Sequence, residues 1–119
     1  MHLKAYEFQR QSTRIRAGIP LRVITLDPRA EFSERTKTLV ISVEGCQITL
    51  SRPLERSTIV KLDELPCGRS ATARVVNCTP VGRRADRWLL SIAFHEPGNV
   101  WGIESPPADW EGGKGSRAS

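Results

Sequence analysis

Apolar and polar side chains alternate with a period of two in several separate segments of the chain, as in strands that bury one face and wet the other. The clearest run covers residues 46–51, where Cys46, Ile48 and Leu50 oppose Gln47, Thr49 and Ser51. A second run, 36–43, stands directly before it and predicts a paired strand. Residues 19–26 set Ile19, Leu21 and Val23 on one face, with Pro20 tolerated at a strand start. Shorter strands are predicted over 57–62 and 70–78. The last begins at Trp88 and turns Trp88, Leu90, Ile92 and Phe94 inward.

Between these runs lie turn formers: residues 27–35, Arg52-Pro53, Leu65-Pro-Cys-Gly68, and a hairpin tip over 79–86 with Pro80 and Gly82. No amphipathic helix longer than two turns is legible. Six strands on mostly short connections predict an all-β, antiparallel barrel or sandwich, and closure into a barrel removes the free edges. Residues 1–18 read as an amino-terminal arm, with room for a short helical turn. Residues 19–110 form the domain, whose proline-bearing carboxyl segment is bracketed by Trp101 and Trp110 and is expected to pack across the barrel. The Gly- and Ser-rich residues 111–119 read as a disordered tail.

A length of 119 residues supports one core. No stretch is apolar enough to span a bilayer, and the first eight residues lack the apolar run of a signal peptide, so the cytoplasm is the expected location without membrane insertion. Cys46, Cys67 and Cys78 are odd in number and widely spaced, which argues against a disulfide framework or a zinc site and for buried free thiols. No catalytic constellation stands out and no cofactor is implied, so the reading is a protein that is not an enzyme.

The formal net charge is +5, which favours an anionic partner. The excess gathers at the amino end: Lys4, Arg10, Arg14, Arg16 and Arg22 face only Glu7 within the first 24 residues. Arg10 and Arg14 are the informative pair. On a helical turn they would lie side by side; in an extended arm they would share a face about 13 Å apart. Guanidinium forks bind phosphate and also stack on aromatic faces, which suits a ligand carrying both phosphates and purines. Arg83, Arg84 and Arg87 cluster at the predicted hairpin tip and read as a solvated loop.

Arg10-Gln-Ser-Thr-Arg14, followed downstream by Val40-Ile-Ser-Val-Glu-Gly45, resembles the PilZ family, in which an RxxxR arm and a [D/N]xSxxG turn bind cyclic dimeric GMP (cyclic-di-GMP). The resemblance runs from about Arg10 through the final strand. It implies a six-stranded antiparallel split β-barrel, with ligand contacts at Arg10, Arg14, Ser42 and Gly45. Val40 departs from the pattern, because it stands where the family carries Asp or Asn. An isopropyl group cannot accept the hydrogen bonds of a guanine edge, a loss of about 1 to 3 kcal/mol. Glu44, two residues beyond Ser42, is the candidate substitute acceptor.

The resemblance implies a non-catalytic sensor or adaptor in bacterial second-messenger signalling, with cyclic-di-GMP and a protein as partners. Two alternatives stand beside it: a degenerate PilZ-like protein-interaction module that binds no nucleotide, and a basic β-barrel that binds nucleic acid. The last is disfavoured by the aromatic count, three Trp, one Tyr and three Phe, several of which fall at inward positions and leave no stacking platform.

Overall fold

Each period-two run becomes a strand. The computed structural model describes residues 12–83 and 86–110. It contains β1 (Ile15–Arg16), β2 (Pro20–Thr25), β3 (Ser33–Ser42), β4 (Gly45–Leu50), β5 (Ile59–Leu65), β6 (Arg69–Pro80) and β7 (Trp88–Phe94). All pairings are antiparallel, and the order β3-β2-β5-β6-β7-β4 closes because β4 pairs back onto β3. The result is a closed six-stranded antiparallel barrel with β1 added along β3.

The inward faces match the alternation. Leu21, Val23, Cys46, Ile48, Leu50, Val60, Leu62, Ala73, Val75, Leu90, Ile92 and Phe94 are all buried in one cluster. Trp88, at the barrel rim, is only half-buried. Burial of the Cys46 thiol pushes its pKa up to about 12, because the low-polarity interior disfavours the thiolate. Of the three thiols expected to be buried only Cys46 is, since Cys67 falls in the exposed turn after β5 and Cys78 is half-buried near the end of β6. With an aromatic disulfide reagent at pH 8, Cys67 is expected to react at once and Cys78 more slowly. Cys46 should stay silent until denaturant is added. Fast release from all three thiols in the folded protein would contradict this core.

Two expectations from the pattern need correction. β3 begins at Ser33, inside the segment read as a loop, because Glu34 and Thr36 make bonds there that hydropathy does not register. Its pairing with β4 stops at Thr38–Ile48. Beyond that point Thr36 Oγ1 donates to the Thr49 carbonyl at 2.7 Å, and Ser51 N and Oγ donate to Glu34 Oε1 at 3.1 and 2.7 Å. Side chains thus bridge the place where the barrel splits.

The second correction lies within the run 36–43, where the period-two alternation of a regular strand puts Leu39 on the same face as Ile41 and Val43. A register shift between Thr38 and Val40 makes Leu39 the extra residue of a bulge, and it is 47% exposed. Thr38 and Ile41 are both buried as a result. The arm also differs from expectation: over residues 12–18 the chain holds a short strand, β1, in register Ile15–Ile41 and Arg16–Val40.

The carboxyl segment packs on the barrel through its two tryptophans, each 2% exposed. Trp101 lies against Phe94, ring centroids 5.6 Å apart, and its Nε1 donates to the Ser42 carbonyl at 2.8 Å. Trp110 Nε1 donates to the Thr13 carbonyl at 2.8 Å, while the Thr13 amide and hydroxyl donate to Asp109 Oδ2 at 3.0 and 2.8 Å. These bonds pin the chain one residue before Arg14.

Candidate functional site

The barrel register brings the sequence-singled residues to one place. Extending the β1–β3 register by one residue sets Arg14 opposite Ser42; Ser42 pairs with Gly45, Gly45 with Ala93, and Ala93 with Arg74. A parallel row runs Arg16, Val40, Gln47, Ser91, Asn77. Side chains in such rows stand beside one another on the sheet face. Apart from Arg16, which borders a different groove, they floor a groove of about 460 Å³ that Arg14, Val40, Ser42, Glu44, Gly45 and Arg74 all line.

Of the predicted site residues, Arg14, Ser42, Glu44 and Gly45 are therefore assembled, with Val40 among them. Arg10 lies outside the described residues.

Ser42 and Gly45 also have architectural work. Ser42 is 9% exposed, and its Oγ accepts from the Glu44 amide at 3.1 Å, closing the β3–β4 turn. Among the described residues no group accepts the hydroxyl proton, which leaves it available to a ligand acceptor. A Cβ on Gly45 would stand 1.9 Å from the Ile92 carbonyl oxygen and 2.9 Å from its carbon. Close approach of β7, rather than an unusual backbone angle, is what demands glycine here. The Glu44 carbonyl accepts from the Phe94 amide at 2.8 Å, which fixes the turn over the groove.

The charge arrangement favours an anion. Arg14 and Arg74 are exposed, and neither guanidinium has a hydrogen bond or ion pair among the described residues. Glu44 is the one acid among the described residues that line the groove. A second groove, of about 700 Å³, lies over the split and is lined by Arg16, Arg35, Lys37 and Arg87. Two of its cations are already engaged. Arg35 meets Glu64 at 3.1 Å through both Nε and Nη2, and Arg87 reaches Thr49 Oγ1 at 2.8 Å and Glu34 at 3.6 Å. The Arg35 guanidinium holds the Glu64 carboxyl below its ordinary pKa. Arg87, read from sequence as part of a solvated tip, thus helps brace the split; Arg83 is exposed and Arg84 lies outside the described residues.

Arg74, Gln47, Ser91 and Asn77 carry no motif. Only the strand register shows that they border the groove. Among the described residues no group of three or more His, Cys, Asp or Glu could hold a metal, and no helix is long and apolar enough to cross a membrane.

No protein-family model matches the chain, and no curated protein does. Among solved structures, the chain is similar to the Bacillus subtilis inhibitor of motility, MotI/DgrA, with a TM-score of 0.53 and 17% identity. The match covers 76% of this chain and 44% of that one, so the domain spans less than half the length of its structural neighbour. At this identity the likeness is one of fold, and the barrel is PilZ-like in architecture.

Proposed function

We propose that this domain is a non-catalytic binding module for cyclic-di-GMP, acting as a sensor or adaptor in bacterial second-messenger signalling. The observation that carries the reading is the convergence of Arg14 with Ser42, Glu44 and Gly45, residues up to 31 positions apart in sequence, on one groove. Arg14 supplies a fork for phosphate and a plane for a purine. The Ser42 hydroxyl donates to a phosphate oxygen, and Gly45 keeps the floor low.

Arg10 would join Arg14 on the ligand and hold the arm against the barrel. Thr13, tied to Asp109 and Trp110, gives that arm a fixed root. A ligand that binds the docked arm more tightly than the undocked one shifts the population toward it and changes the surface offered to a protein partner.

Calorimetric titration with cyclic-di-GMP tests this reading. Saturable binding is expected, weakened by about tenfold or more in Arg14→Ala, the loss of one charge-assisted contact. Absence of heat and of any thermal shift at roughly millimolar ligand would exclude it, since an affinity weaker than about −4 kcal/mol carries no signal.

A second reading, a protein-interaction module without nucleotide, draws on Val40 and on the architectural explanation of Ser42 and Gly45. A silent titration would favour it.

A further inference from the structure

The groove has two ends, and sequence motifs mark only one. Arg14 and Arg74 stand at opposite ends of a row whose three intervening residues, Ser42, Gly45 and Ala93, have small side chains or none. Four strand spacings separate the two arginines, about 19 Å along the curved surface. Both line the same cavity, both are exposed, and both guanidiniums are unpartnered among the described residues. Arg74 is held in register on both sides, by Ala93 on β7 and Ile59 on β5.

Two free cations across a low floor attract negative charge at two separated points. A single phosphate reaches one of them. A ligand whose rigid framework holds two phosphates apart meets both, and the second contact then forms without a second loss of translational freedom. We infer that Arg74 is the second anion contact of this groove, and that the site selects ligands with two separated phosphates over mononucleotides. The inference rests on the nucleotide reading above and adds to it a residue and a rule of selection.

The test titrates the full chain with cyclic-di-GMP and with GMP, in the wild type and in Arg14→Ala, Arg74→Ala, Arg74→Lys and Lys37→Ala. Lys37 is exposed and borders the other groove, so its variant controls for net charge. Arg74→Ala is expected to lose about tenfold or more in cyclic-di-GMP affinity, with Arg74→Lys between it and the wild type and Lys37→Ala within about twofold. GMP, which needs one arginine only, should change by no more than about twofold in Arg74→Ala. Melting curves check that the variants at this exposed position remain folded.

Unchanged cyclic-di-GMP binding in Arg74→Ala, beside a loss in Arg14→Ala, overturns the role of Arg74 and leaves the proposed function standing. Equal losses for both ligands also overturn it, by reducing Arg74 to a source of general positive potential. A wild type that binds no cyclic-di-GMP removes the functional reading and this inference with it.

Discussion

Gly45→Ala is expected to destabilise the domain by about 3 kcal/mol or more, lowering the melting temperature on the order of 10 to 20 °C or abolishing soluble expression. The new methyl group would sit 1.9 Å from the Ile92 carbonyl oxygen. That atom is part of the β4–β7 ladder, in which Gly45 faces Ala93 and Cys46 faces Ile92, so it cannot retreat without opening the barrel wall. A loss of this size is a large part of the roughly 5 to 15 kcal/mol that holds a domain together. Gly98→Ala is the control: its Cβ would meet nothing within 4 Å, so it should melt close to the wild type. A Gly45→Ala protein as stable as the wild type would mean that β7 does not approach β4 as described.

That expectation changes what the Ser-x-x-Gly turn can say about function. Ser42 closes a turn, receives the Trp101 indole on its carbonyl, and precedes a glycine whose side chain is excluded by backbone. Each of these would persist in a barrel that bound nothing. The weight of a ligand argument therefore shifts to groups with no structural employment, Arg14 and Arg74, whose exposed guanidiniums are unpartnered among the described residues. Leaving two like charges on one groove gives the fold no stabilisation, whereas an anion between them is favoured.

Alternation located β7 to the residue, because every second position from Trp88 to Phe94 is large and apolar, even though Leu89 and Ala93 between them are apolar too. It placed the start of β3 three residues late, since Ser33, Glu34 and Arg35 are polar and earn their strand through pairing with β2 and bonds to Ser51. It also missed the bulge at Leu39, which no local signal marks. β1, two residues long, is too short to show any period and exists because β3 offers it an edge. The site divides in the same way. Arg14, Ser42 and Gly45 were legible as motif residues, and Glu44 as their neighbour. Arg74 and Gln47 enter only when β6, β7 and β4 are laid side by side, which is information held in the register of the barrel.

Val40→Asp should raise cyclic-di-GMP affinity by about tenfold to a hundredfold, the converse of the roughly 1 to 3 kcal/mol lost when base-edge donors are buried without an acceptor. The structure makes this substitution tolerable. Val40 is half-buried and lines the groove, and Arg16 is its cross-strand partner on β1. A carboxylate there would have a guanidinium beside it and water on one side, so its desolvation cost is small and the fold should keep its melting temperature within a few degrees. Val40→Leu, which supplies no acceptor, should leave affinity within about twofold. The row offers one further discriminator: Gln47 faces Val40 directly, and its amide can accept as well as donate. If Gln47 already reads the base, Gln47→Ala weakens binding and Val40→Asp adds little. If position 40 is the missing acceptor, Val40→Asp strengthens binding and Gln47→Ala is nearly silent. Flat responses from both variants, with Arg14 still required, would mean that this groove holds its ligand by phosphate alone.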